Sequence, residues 1–178
     1  IVATLVDNPE LTRLGGERRE MTVMFIDLQG YTSISEKLAP DDLVRMLNMF
    51  LGQMTDAISA HAGVINDFLG DAVMAYWGPP FTKSEEQATH ACQAALEALR
   101  NFEKFRLDVA SQLGGKASDL ELGMRVGIST GDVVAGNIGS ASARKYSLVG
   151  DPVNLGARLE GANKNYGTKV IMSERTRE

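Results

Sequence analysis

The chain has 178 residues, enough for one domain with a sizeable core. Hydrophobic residues make up 44% and charged residues 23%, the mixture of an ordinary globular protein. The net charge of −5 argues against a nucleic-acid partner, which needs a basic face. The single cysteine excludes an internal disulfide and fits a reducing cytoplasm, and no apolar run approaches the ~18 residues of a membrane span.

The chain opens inside an apolar stretch, IVATLV, and closes on a charged one, SERTRE. Both ends read as cuts from a longer protein, truncated at the C-terminal side. Residues 1–20 read as a short helix or solvated connector, with Gly15 and Gly16 followed by the charged run ERRE. The expected division is a linker over 1–19 and a domain over 20–178. Residues 21–27 form a short apolar run with Val, Phe and Ile, the pattern of a buried central strand. That run stops at Asp27. Gln29, Gly30, Tyr31 and Thr32 are turn residues leading into a helix, with Ser33 or Ser35 as its cap.

Pro40 suits a first helical position, and Asp41 and Asp42 suit the positive N-terminal end of a helix. Leu43, Leu47, Phe50, Leu51, Met54 and Ile58 then recur at helical spacing, which predicts an amphipathic helix over 40–61. Residues 63–77 read as a hairpin turning at Leu69, Gly70 and Asp71. Ser84 is the expected cap of a helix running to about 112, with Cys92 on its apolar stripe as a plain core thiol. Residues 114–119 read as a polar loop. Residues 122–130, 133–138 and 146–149 are three strand candidates with Gly-rich breaks, and 141–145 reads as a small, basic, mobile loop. Pro152 opens a helix to about 165, and 170–172 is a last strand. This order predicts an α+β sheet layered with helices, not a doubly wound parallel fold.

The chemistry concentrates on two aspartates. Asp27 ends a buried strand and is followed by a Gly turn and a helix, a setting in which backbone N–H groups can cradle phosphates. Asp71 sits at a hairpin turn that could come alongside. Two neighbouring carboxylates repel unless a cation sits between them, and Mg²⁺ is commonly held by one or two carboxylates plus substrate phosphates. Taken singly, each aspartate also has an ordinary structural reading, as a strand end and as a turn residue.

Four blocks carry a family resemblance. FIDLQGYT resembles the F-x-D-I-x-G-F-T motif of class III nucleotide cyclases. FLGDAVMAYWG resembles their F-x-G-D-A-x-M-A hairpin, VGISTGDVVAGNIG their paired strands G-I-x-x-G-x-V-x-x-G, and YSLVGDPVNLGARLE their terminal V-N-x-x-x-R block. The resemblance implies a ferredoxin-like, palm-type and mostly antiparallel sheet. It implies that Asp27 and Asp71, with the Leu28 carbonyl, hold two Mg²⁺ or Mn²⁺ ions per site. Gln29, Gly30, Tyr31 and Thr32 match the phosphate-cradling turn. Asn154 and Arg158 match the pair that orients the ribose and neutralises charge on the α-phosphate, and their i, i+4 spacing puts both on one helix face. The implied reaction converts ATP or GTP to a 3′,5′-cyclic nucleotide and pyrophosphate at a head-to-tail homodimer interface. His61 and His90 stay structural. The N-terminal NPELTRLGGERRE is similar to the connector below membrane-anchored bacterial sensors, which implies a parent chain with an upstream sensor or membrane region.

Two positions of the resemblance choose the base, and here they are Asp67 and Ser147. Adenylyl cyclases usually carry Lys at the first and Asp or Thr at the second; guanylyl cyclases carry Glu, then Cys or Ser. A carboxylate accepts from the N1–H and amino group of guanine, and a serine can donate to O6, so the pair leans toward GTP. ATP read through a non-standard pocket is the alternative, as is a degenerate domain that only binds nucleotide or dimerises to relay a signal. Another two-metal nucleotidyl transferase is disfavoured by V-N-x-x-x-R. The family's terminal-phosphate lysine is expected beyond Glu178; Lys145 and Lys169 do not stand at that position.

Overall fold

One long antiparallel ladder sets the frame. In the computed structural model, which describes residues 15–117, 120–140 and 143–178, β1 (Gly15–Gln29) pairs with β4 (Gly123–Gly139) without interruption from Gly15↔Asn137 to Gln29↔Gly123. On its other side β1 pairs antiparallel with β3 (Ala72–Trp77), which forms a hairpin with β2 (Val64–Leu69). β5 (Arg144–Val149) returns along the far half of β4. The order is β2-β3-β1-β4-β5, and β6 (Val170–Met172) adds to β4 in the parallel sense. Among the described residues five α-helices complete the fold: α1 (Tyr31–Lys37), α2 (Pro40–Ala60), α3 (Gln87–Leu113), α4 (Asp151–Tyr166) and the single-turn α5 (Glu174–Arg177). The expected mostly antiparallel α+β sheet is what forms.

Alternation along β1 builds two cores. Met24, Ile26 and Leu28 face the main one, where α2 and α3 contribute Met46, Phe50, Met54, Phe102 and Phe105. Rings of Phe50 and Phe105 meet edge to face at 5.6 Å. The odd residues Met21, Val23 and Phe25 face a smaller core with Tyr76, Val133 and Leu148. α4 and the β4–β5 ribbon cover that second face, and Tyr146 of β5 stacks near Tyr76 and Phe81 at 6.1 and 5.7 Å. Cys92 is half-buried against the main core. The end of α2 is tied to α3 by His61 Nε2, 2.6 Å from Glu97 Oε2, so His61 does structural work here.

Several expectations are corrected. Residues 15–20 are not a connector but the first part of β1, paired with 132–137 of β4; residues 1–14 of the predicted linker lie outside the described residues. Residues 122–130 and 133–138 belong to one strand, because Gly131 continues the ladder opposite Met21 rather than breaking it. Neither Ser33 nor Ser35 caps a helix: Gly30 is the N-cap of α1, and Ser35 bonds back to the Thr32 carbonyl at 2.7 Å. α3 starts at Gln87 after Glu86, past Ser84. Residues 114–117 form a 3₁₀ turn. Of the predicted loop over 141–145, residues 141–142 lie outside the described set and Arg144 and Lys145 already belong to β5.

The glycines of β4 let α4 sit directly on the strand. A Cβ on Gly127 would meet the Glu160 nitrogen and the Gly156 carbonyl oxygen, each at 2.2 Å. Those are backbone atoms, so the helix itself would have to lift. Gly127→Ala is expected to cost at least the ~1–3 kcal/mol of an overpacked core, a fall of several degrees in Tm for a chain of this size. Gly161→Ala, at an open helical position, is expected to gain up to ~1 kcal/mol. Thermal melts of the two variants check this; a Gly127→Ala protein as stable as the parent would mean that α4 does not approach β4 so closely.

Candidate active site

The ladder places Asp27 opposite Ala72 of β3 on one side and Arg125 of β4 on the other. Asp71 follows in the β2–β3 turn. Its carbonyl accepts from the Leu28 N–H at 3.4 Å, which ties the hairpin turn to the strand end carrying Asp27. Gly30 then reverses the chain into α1 with φ +89°. No side chain larger than hydrogen fits there, since a Cβ would lie 2.7 Å from the Glu121 carbonyl oxygen, and the positive φ itself favours glycine. Asp27, Leu28, Gly30, Tyr31, Thr32, Ser33, Asp71 and Arg125 line one open cleft of about 450 Å³.

Charge in the cleft is unbalanced. Arg125 Nη2 donates to Asp27 Oδ2 at 2.5 Å, and Arg125 Nε lies 2.7 Å from Glu160 Oε1 of α4. The second contact is a charge contact without hydrogen-bond alignment. Three carboxylates, Asp27, Asp71 and Glu160, therefore share one guanidinium. Burial raises the Asp71 carboxyl above its usual range, and the charge of Asp27 adds to the rise. Burial likewise raises Glu160, with Asp27 again contributing and Arg125 opposing.

The donor set fits a hard divalent cation. Asp27 and Asp71 offer carboxylate oxygens and Leu28 a main-chain carbonyl, the ligand chemistry of Mg²⁺ and Mn²⁺. Among the described residues no group of three or more His, Cys, Asp or Glu could hold an ion alone. Two carboxylates with open positions beside them suit an ion that also binds substrate oxygens.

The remaining expected residues fall elsewhere. Gln29 is exposed, with its amide against its register partner Gly123; it lines a neighbouring cavity of about 340 Å³ with Lys37 and Glu121 and not the aspartate cleft. Asn154 and Arg158 are exposed on α4 and do not line the aspartate cleft of their own chain. The inward face of α4 carries Glu160 and Asn163, whose amide donates to the Val126 carbonyl at 2.9 Å. Asp67 and Ser147 lie away from the cleft, on β2 and β5. Asp67 pairs with Lys145, whose Nζ is 2.6 Å from its Oδ2.

Sequence reasoning passed over Arg125, Glu160 and the contact of Lys145 with Asp67. Arg125 had a readable signal, a lone cation inside the otherwise apolar run GMRVGIS. The other two reach their partners only through tertiary packing, so no local pattern marks them.

Comparison with known proteins shows the family. The profile of the adenylate and guanylate cyclase catalytic domain matches residues 16–178. Adenylate cyclase 1 of Rhizobium meliloti is 40% identical over 157 residues, covering 88% of this chain and 23% of that protein. An adenylate cyclase of Anabaena cylindrica is 36% identical over 156 residues, covering 88% of this chain and 30% of that protein. The chain thus spans about a quarter of the length of these curated relatives. Among solved structures, the guanylyl cyclase Cya2 superposes with a TM-score of 0.80 at 36% identity, over 92% of this chain and 79% of that one. The adenylyl cyclase CyaB from P. aeruginosa gives 0.82 at 30% identity, over 92% and 81%. Matched over nearly its whole length, the chain belongs to the family of adenylate and guanylate cyclase catalytic domains.

Proposed function

We propose that this domain cyclises a purine nucleoside triphosphate, ATP or GTP, to its 3′,5′-cyclic monophosphate. The observation that carries the reading is the cleft that Asp27, Leu28 and Asp71 line together with the Gly30 turn and Arg125. The ribose 3′-oxygen attacks the α-phosphorus, the bond to the β-phosphate oxygen breaks, pyrophosphate leaves, and the 3′-hydroxyl proton passes to solvent. Asp27, Leu28 and Asp71 would hold two Mg²⁺ or Mn²⁺ ions, which when bound lower the pKa of the attacking hydroxyl and offset triphosphate charge. Arg125, beside Asp27 in the cleft, has planar donors that suit phosphate oxygens. Gly30, Tyr31 and Thr32 shape the turn beneath the phosphates; Gln29 flanks it.

Asn154 and Arg158 lie outside the cleft of their own chain, which supports a head-to-tail homodimer in which each chain completes the other's site. Arg158 then meets the charge that spreads over the α-phosphoryl oxygens in the transition state, and Asn154 orients the ribose. Exposed apolar side chains suit such an interface: Phe68 and Leu69 at the hairpin next to Asp71, Ile138 and Val149 on the β4–β5 ribbon. Among the described residues no helix is long and apolar enough to cross a membrane. The cytoplasm supplies the triphosphate and metal ions, and a parent several times longer, as in the curated relatives, has room for an upstream sensor.

Asp27→Asn is expected to lower metal-dependent turnover about 100- to 1000-fold, the scale of losing one charge-stabilising group, while the circular dichroism spectrum stays that of the parent. Near-parental activity in a folded Asp27→Asn protein would remove the metal assignment. Asp71→Asn and Arg158→Ala are each expected to be inactive alone, yet to recover up to about a quarter of parental activity when mixed in equal amounts, because half the chains form heterodimers with one intact site each. Absence of recovery at concentrations where dimers form would sink the shared site. Should the parent protein yield no cyclic nucleotide from any triphosphate with Mg²⁺ or Mn²⁺, the domain would be a nucleotide-binding or dimerisation module instead.

A further inference from the structure

Arg125 is held from two elements. Its Nη2 donates to Asp27 Oδ2 at 2.5 Å, and its Nε lies 2.7 Å from Glu160 Oε1 of α4. Asp27 lines the cleft and Glu160 does not, so Glu160 reaches the cleft only through Arg125. The Arg125 Nε and Glu160 Oε1 are both buried, and neither hydrogen-bonds to any other group. Backbone packing puts Glu160 there. Arg125 and Gly127 are two residues apart on β4 and share a face. Over Gly127 lie the Gly156 carbonyl oxygen and the Glu160 nitrogen, each 2.2 Å from where a Cβ would stand. One turn further along α4 the buried Asn163 amide donates to the Val126 carbonyl at 2.9 Å. The helix is pinned to β4 at both points, and Glu160 extends from a fixed backbone to Arg125.

A planar group needs two contacts to fix its plane. Arginine carries its guanidinium on a long flexible stem, with five N–H groups. A bond at Nη2 alone fixes one point and leaves the group free to turn about it. A second contact at Nε fixes the plane and leaves three N–H groups, two on Nη1 and one on Nη2. Arg125 lines the cleft beside the Gly30 turn, so those donors are the ones left for phosphate oxygens there. Charge alone does not account for Glu160. The cleft already holds Asp27 and Asp71, and a further carboxylate nearby repels an anionic substrate. What Glu160 adds is orientation.

We infer that Glu160 is a positioning residue: it sets the plane of the Arg125 guanidinium from α4, so that the donors Asp27 does not use meet the phosphate oxygens of the bound triphosphate. The inference rests on the cyclase reading above. α4 also carries Asn154 and Arg158 on its exposed side. The helix whose outer face serves the partner's site in that reading thus orients a phosphate donor in its own.

The test separates orientation from charge and from helix packing. Glu160→Gln keeps an oxygen at the same reach without the charge; Glu160→Asp keeps the charge one methylene short. Equilibrium binding of 3′-deoxy-ATP and 3′-deoxy-GTP, which lack the attacking hydroxyl, gives Kd, and steady-state kinetics gives KM and kcat. Glu160→Asp and Glu160→Ala are expected to raise Kd and KM about 10- to 100-fold, the scale of a misplaced binding group. kcat should change little, because the grip on the phosphates weakens equally before and during the reaction. Glu160→Gln is expected to stay near the parent, since its amide oxygen accepts from the Nε–H. Arg125→Lys supplies a point charge with no plane to set, and in that background Glu160→Ala should change Kd by no more than about twofold. Parental binding in Glu160→Ala or Glu160→Asp, a loss in Glu160→Gln as large as in Glu160→Ala, or a full further loss in the Arg125→Lys background would each overturn the inference. Should Glu160→Ala not fold, the Gln and Asp variants, which keep most of the packing, decide on their own. A parent that binds either analogue yet turns over no triphosphate fails the cyclase reading separately, and the Kd series still decides the role of Glu160. A parent that binds neither analogue overturns both.

Discussion

The β1–β4 ladder is the constraint on which the rest of the structure depends. It runs unbroken from Gly15↔Asn137 to Gln29↔Gly123, and side chains alternate faces along it. A slip of one residue would move Met24, Ile26 and Leu28 out of the main core and turn Asp27 away from Arg125. The two cores hold the register from both sides: α2 and α3 pack on one face, α4 and the β4–β5 ribbon on the other. Glycines in β4 make this possible at close quarters. Gly127 admits the backbone of α4, and Gly136 admits Gly15 and Gly16, with a Cβ there only 2.0 Å from the Gly15 carbonyl oxygen. The strand that reads as Gly-rich and weak in isolation is held by backbone packing.

The same ladder concentrates charge. Asp27 and Arg125 are register partners, the Leu28 N–H draws in the Asp71 turn, and the close approach at Gly127 brings Glu160 down onto Arg125. Three carboxylates result, with one cation among them. Burial and mutual repulsion both push Asp71 and Glu160 toward protonation, and a divalent ion relieves both effects at once. Arg125 occupies part of that role in the protein alone. Its planar donors suit carboxylate and phosphate equally.

Much of this was legible in the sequence where the signal is local. The apolar run ending at Asp27, the turn at Gly70 and Asp71, and the helical spacing from Leu43 to Ile58 each map onto the elements found. The misreadings share a cause. Gly131 looks like a break, yet it pairs with Met21 in mid-strand; Gly15 and Gly16 look like a linker, yet they pair with Asn137 and Gly136. A glycine's local preference is to end a strand, and tertiary pairing overrides it. Asn154 and Arg158 were placed on one helix face, but their distance from the aspartate cleft depends on how α4 lies on the sheet. Lys145 was invisible because its contact needs both the bulge at Asn66 and the fold of the ribbon over β3.

The fold separates the two halves of the chemistry by how firmly they are held. Asp27 and Arg125 are each only 19% exposed, on the two central strands, and breaking a mostly buried pair costs about 3–5 kcal/mol. Asp67 and Lys145 are half exposed, on the first and last strands of the pairing order, where an ion pair is worth at most about 1 kcal/mol. The Asp27–Arg125 pair of the cleft is therefore fixed by the same register that holds the core. The Asp67–Lys145 pair stands on edge strands, where side chains can be exchanged without disturbing that register. An altered charge there comes at little cost to the fold.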